Sequence, residues 1–90
     1  MQTPHSRLPE PVHARIIRRG ERAAYRDGEL IHQRGDTDIA LSLIREGTIR
    51  LSNVGVNGRR ITSALLGRGE AYGVFQLFSG EPYSHDAHAV

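Results

Sequence analysis

The stretch NGRRITSALLGRGEAYGVFQLFSGEPYSHDA, residues 57–87, decides the fold. Asn57-Gly58 is a strong hairpin signal, because a type I′ turn needs positive φ at both central positions. Residues 59–67 then read as the returning strand. Gly69 opens another turn, and residues 70–75 run into the apolar segment Gln76-Leu77-Phe78. Gly73 stands where the backbone can approach a ligand closely. Gly80, Pro82 and the Ser84 hydroxyl follow. The segment is shaped to hold something small.

Outward from this stretch, the glycines set the rhythm. Ten of them divide the chain from Gly20 onward into short segments. Turn signals at about 8–12-residue spacing point to an all-β sandwich or barrel. Residues 22–26 read as a strand before the turn Asp27-Gly28, and residues 29–33 as a strand before Arg34-Gly35-Asp36. Residues 39–46 run as a strand to Gly47. Residues 48–53 alternate, with Ile49 and Leu51 on one face and Arg50 and Ser52 on the other. Residues 85–90 form a last strand. The first residues differ: Pro4, Pro9 and Pro11 make an irregular lead-in. Val12, Ile16 and Arg19 then fall at helical spacing, in a short helix over 12–19 stopped by Gly20. The expected organisation is a lead-in and helix over 1–19 and one β unit over 20–90.

Composition bounds the class. Ninety residues make one domain, and a chain this size buries only about 60–65% of its unfolded surface. With 38% apolar residues, interspersed with polar ones, it is a globular chain. The absence of cysteine excludes disulfides and thiolate metal sites. The N-terminal residues carry no apolar signal core and no run is long enough to span a bilayer, so a cytoplasmic location is expected. The charge of +2 comes with twelve arginines, spread from Arg7 to Arg68, and no lysine. They read as solvated surface residues, without the one-face clustering of a nucleic-acid domain.

The order of elements, together with residues 27–36, 43–51, 57–73 and 77–87, resembles the cyclic nucleotide-binding domain. The version it resembles is the N-terminal effector domain of the cyclic-AMP receptor type of bacterial transcription regulator. The resemblance covers about residues 20–90. It implies a mainly β fold, a jelly-roll or β-roll (double-stranded β-helix) with a short N-terminal helix. It also implies a phosphate-binding cassette, in which a short helix and loop hold the cyclic phosphate of cyclic AMP or cyclic GMP. In the family an arginine pairs the phosphate, a glutamate accepts from the ribose hydroxyl, and a serine or threonine adds a donor.

Carried onto this chain, Gly73 matches the cassette glycine. Phe75, Leu77 and Phe78 match its apolar positions, with Gln76 among them. Pro82 and Ser84 match the proline and the hydroxyl. Val74 stands where the glutamate belongs, and Tyr83 where the arginine belongs. Hydrogen bonds involving a charge contribute about 1.5–3 kcal/mol each. Losing both removes about 3–6 kcal/mol, or about two to four decades of affinity. The expected ligand is therefore a cyclic nucleotide bound weakly or not at all, by the backbone over 73–78, Ser84 and Tyr83. Phe75, Leu77 and Phe78 are expected to close one end of the core. The family domain continues with a further strand, a long dimerising helix and a helix-turn-helix. Without them, this chain is expected not to read DNA sequence, and to leave an unpaired edge near residues 85–90 that invites self-association.

Other features read as structural. His85 and His88 are three apart on a strand and point to opposite faces, as surface or edge residues rather than metal ligands. Ser84, His85 and Asp86 are sequence neighbours and cannot converge as a triad. Arg15, Arg18, Arg19 and Arg22 favour the C-terminal end of the helix dipole, with anion or nucleic-acid contact as the other reading. No catalytic or metal residue is expected, and the chain reads as a sensory module rather than an enzyme. Two other readings stand beside it: a degenerate roll serving as a structural or protein-interaction module, and a cupin-type metal enzyme, which would require an H-x-H pair that the chain lacks.

Overall fold

The computed structural model describes residues 7–90; the expected lead-in around Pro4 lies partly outside them. Helix α1 spans Glu10–Arg19. It starts two residues ahead of the expected Val12, because Pro11 fits a first turn, where its missing N–H leaves no bond unmade. Glu10 in the first turn and Arg18 and Arg19 in the last complement the dipole. The Gly20 N–H donates to the Ile16 carbonyl at 2.8 Å and closes the helix.

Six strands follow, with one helical insertion: β1 Leu30–His32, β2 Ser42–Leu43, β3 Ile49–Val54, β4 Arg60–Leu66, β5 Ala71–Tyr72, α2 Val74–Ser79 and β6 Asp86–Ala89. They form a four-stranded antiparallel sheet in the order β1-β6-β3-β4 and a two-stranded sheet of β2 and β5. Residues 22–26 do not form the expected strand. Ala23 and Ala24 bring little side chain to bury, all five residues are exposed, and no strand pairs with them. Residues 39–46 pair as a strand only at Ser42–Leu43, extended by the Ile44 N–H to the Glu70 carbonyl and the Gly69 N–H to the Ile44 carbonyl.

The hairpin between β3 and β4 exists, but its turn differs from the expected type I′. Only glycines adopt positive φ, so Asn57 does not. The Gly58 N–H bonds back to the Gly55 carbonyl, Gly58 takes φ 78°, and the Gly55 N–H meets the Arg59 carbonyl at 2.7 Å. This is a three-residue loop with a left-handed glycine, and the Asn57 side chain caps the Arg59 N–H at 3.2 Å.

The expected edge at residues 85–90 is overturned. β6 lies between β1 and β3 and is paired on both sides, and β1 and β4 form the edges. Self-association through an open β6 therefore has no template. His88 sits on this central strand, opposite Leu30 and Arg50, rather than on an edge. Ser52, read on the face opposite Ile49 and Leu51, is fully buried. The β3–β4 register shifts between Leu51 and Ser52: Leu51 pairs with Ala64 and Ser52 with Thr62, which leaves Ser63 of β4 as the extra residue of a bulge.

One carboxylate ties the four-stranded sheet together. Asp86 on β6 accepts the Arg34 N–H beyond β1 at 2.8 Å and an Arg60 Nη1 proton from β4 at 3.0 Å. The same Nη1 donates to Ser52 Oγ on β3 at 2.9 Å. Buried Ser52 thus has its partner. The apolar core is small: Ile44, Leu66, Ala71, Tyr83 and Ala87 are its buried members. The Arg34 N–H, and then Arg60, hold the Asp86 carboxyl below its ordinary 3.8. Its contribution is complete above that value and is lost as pH falls through the depressed one. Asp86→Asn is expected to cost about 1–2 kcal/mol at neutral pH, and to flatten the acid limb of stability below pH 3.8. Urea unfolding of both proteins at neutral and acidic pH checks this; an unchanged midpoint in the variant contradicts it.

Candidate functional site

The cassette segment begins at Gly73, which is buried and takes φ 94° as the residue before α2. A side chain there would run into the Ala40 carbonyl, so only glycine lets the two backbones meet. The Leu77 N–H then bonds to the Gly73 carbonyl at 3.0 Å, and α2 ends at left-handed Gly80.

The expected ligand space faces this segment. It is a cavity of about 50 Å³ lined by His32, Leu51, Tyr72, Gly73, Gln76, Tyr83, Ser84 and His85. A larger hollow of about 540 Å³ at Arg26–Glu29 is a surface depression among exposed residues and involves none of these groups.

Tyr83 accounts for the small volume. It is 6% exposed. Its ring stacks on His32 with centroids 3.5 Å apart and planes 11° from parallel. Its hydroxyl accepts the Ala40 N–H at 3.3 Å and donates to the Ala40 carbonyl at 3.2 Å. Its backbone is fixed as well: its N–H meets the Asp36 carbonyl, and its carbonyl takes the Gly35 N–H. Tyr72 leans against the pair, 5.4 Å from His32. Burial pushes the Tyr72 hydroxyl up to about 12, against the opposing bond from Ser42, so the phenol stays neutral.

The cavity presents no fixed positive charge. Burial lowers His32 below its ordinary 6.5, against the pull of the Asp36 and Asp86 carboxylates. Both its ring nitrogens are shielded from water and have no hydrogen-bond partner. Arg60 is held by Ser52 and Asp86. Ser84 Oγ lies 2.9 Å from His85 Nδ1, while the Asp86 carboxylate bonds Arg34 and Arg60 instead. Among the described residues, no group of three or more His, Cys, Asp or Glu could hold a metal ion.

The cassette residues named from sequence divide. Gly73, Gln76, Tyr83 and Ser84 meet at the cavity; Val74 is half-buried and Pro82 exposed, and neither lines it. The apolar positions do not close the core. Phe75, Leu77 and Phe78 are 64%, 50% and 90% exposed, because α2 is only six residues long and no element among the described residues covers its outer side. Sequence reasoning missed His32, Leu51, Tyr72 and His85 as lining residues. The pairing of β6 with β1 and β3 brings His32, Leu51 and His85 together, and Tyr72 comes from β5 in the second sheet; no local motif carries that information.

The roll and its closed cassette define a class of domain, and comparisons with known proteins identify it. The cyclic nucleotide-binding domain family matches residues 22–90. The chain is 35% identical over 86 residues to the cyclic AMP receptor protein of Thermus thermophilus, covering 96% of this chain and 39% of that one. The crystal structure of the Thermus thermophilus catabolite activator protein is similar with a TM-score of 0.66 and 38% identity, over 73% of this chain and 31% of that chain. The N-terminal domain of a transcriptional regulator from Streptomyces coelicolor matches in fold with a TM-score of 0.78 at 23% identity, over 91% of this chain and 59% of that one. The chain belongs to the cyclic nucleotide-binding domain family. It spans well under half the length of its curated relative. No helix of the described residues is long and apolar enough to cross a membrane.

His32 gives the site a pH signature. Its folded pKa lies below 6.5, so the unfolded chain takes up the proton first. Stability is complete above 6.5 and declines as pH falls from there, by up to about 1.4 kcal/mol per pH unit for one proton. His32→Phe keeps a stacking ring and is expected to remove that decline. Urea midpoints of both proteins between about pH 7.5 and about pH 5.5 check it; parallel curves contradict it.

Proposed function

We propose that this chain is a regulatory, effector-sensing domain of a bacterial transcription regulator, whose pocket binds cyclic nucleotides weakly or not at all. The supporting observation is the position of Tyr83. Where the family places an arginine that pairs the phosphate, this chain has a neutral ring packed on His32 and bonded to Ala40. Pockets that take small organic ligands measure about 300–1,000 Å³, against about 50 Å³ here. Binding would have to expel a buried ring and break its stack, and would gain no charge pairing in return. Val74 withholds the second contact, to the ribose. The domain acts as a cytoplasmic, non-enzymatic module, and its relatives are named as receptors and activators.

A second reading has its own observation. Phe75, Leu77 and Phe78 form an exposed apolar surface on α2, of the kind that marks a protein-interaction site. In that case the roll is a structural or protein-interaction module and α2 is its contact.

Equilibrium binding of cyclic AMP and cyclic GMP tests the first reading. The native chain is expected not to saturate below millimolar ligand. The double variant Val74→Glu, Tyr83→Arg is expected to tighten binding by about two to four decades, at about 1.4 kcal/mol per decade. Micromolar saturation of the native chain would overturn the reading. A double variant that folds and binds no better would show that the two side chains are not what closes the site.

A further inference from the structure

The arginines are spread through the sequence, but the carboxylates are not, and so the charge segregates. Residues 7–26 hold six arginines against Glu10 and Glu21, a balance of +4. Residues 27–90 hold six arginines against eight carboxylates, a balance of −2. The positive part is α1 and the segment leaving it.

Helix geometry collects three of these charges on one side of α1. At about 100° per residue, Arg15, Arg18 and Arg19 fall within a 100° arc or so of α1. The helix residues that are not exposed are His13 and Ile16, on the side away from that arc, and α1 packs against β2. Arg22 follows in the exposed segment after Gly20. All four arginines are exposed. Among the described residues the one ion pair is Arg60–Asp86, so none of the four meets a carboxylate. The helix dipole accounts for cations in the last turn, Arg18 and Arg19. It does not account for Arg15 or for Arg22, or for the absence of neutralising partners.

The surface suits a polyanion of regularly spaced phosphates. A guanidinium presents a rigid fork that matches phosphate in two-point contact and is only weakly hydrated. A lipid surface fits less well. An interfacial helix needs a broad apolar face with aromatic or leucine side chains, whereas α1 exposes only Val12 and Ile17, each at 40%, and turns its less polar face inward.

We propose that Arg15, Arg18, Arg19 and Arg22 form a sequence-independent contact surface for the phosphate backbone of duplex DNA. Such a surface contributes affinity and orientation and reads no bases. It is independent of the pocket, so a failure of one reading leaves the other standing.

Fluorescence anisotropy of a labelled mixed-sequence duplex, titrated with the full chain at a series of salt concentrations, tests it. Four phosphate contacts predict a slope of log K against log salt of about −3.6. Changing all four arginines to glutamine is expected to abolish binding, while Arg59→Gln with Arg68→Gln leaves most of it. The four-lysine variant guards against a folding defect, and is expected to bind with a similar slope and lower affinity. Three results would overturn the proposal: no duplex binding at low salt, binding retained by the glutamine variant, or loss of binding in the lysine variant. Capture by vesicles containing an anionic phospholipid, with no duplex binding, would overturn it in favour of a membrane surface.

Discussion

The structure depends on one aromatic ring. Tyr83 is the largest of the buried apolar side chains, and every part of it is engaged. Its backbone holds the turn at Gly35-Asp36, its face covers His32, and its hydroxyl fastens the Ala40 backbone. Ala40 is in turn the point on which Gly73 rests. A single residue therefore links the turn after β1, the segment before β2 and the start of α2. An arginine in its place would need a counter-charge to remain buried; a tyrosine needs only the two bonds it has. Tyr83 is thus part of the core.

Around this ring the sheet is held by polar ties as much as by apolar area. Ala87, fully buried on β6, presents only a methyl group to the face it packs against. Asp86 beside it reaches the β1 turn and β4 at once. With five buried apolar residues among those described, such a tie matters, since small domains have little burial in reserve. The exposed phenylalanines of α2 and the unpaired arginines of α1 lie outside this framework. They are surfaces the fold does not need for itself.

Much of the fold was legible because local physics dictates it. The helix before Gly20 and the β3–β4 hairpin each carry their own periodicity or turn chemistry, whereas the short helix after Gly73 has no periodicity of its own and was implied only by the family resemblance. Val74 and Tyr83 stand out only against the family pattern that the resemblance supplies. What was not legible is non-local. Nothing in residues 85–90 states that they run between two other strands, and the expected open edge was wrong for that reason. The turn at Asn57-Gly58 was read from its dipeptide alone, whereas the closing bond between Gly55 and Arg59 sets its length. Phe75, Leu77 and Phe78 looked like core because they are apolar, but burial requires a neighbour, and α2 has none on that side.

These features describe a cyclic nucleotide-binding-family roll whose small cavity is packed by Tyr83 and His32, with charged and apolar surfaces turned outward. The claim at the centre is that the His32–Tyr83 stack stays closed in the presence of cyclic nucleotide. The most direct measurement is the proton NMR spectrum of the His32 and Tyr83 rings during a titration with cyclic AMP to millimolar concentration. Stacked rings shift each other's protons upfield and give cross-relaxation between the two. The account predicts that both signatures are present at the start and unchanged at the end. A saturating loss of the upfield shift, with loss of cross-relaxation between the rings, would show that the ligand opens the stack and would contradict it.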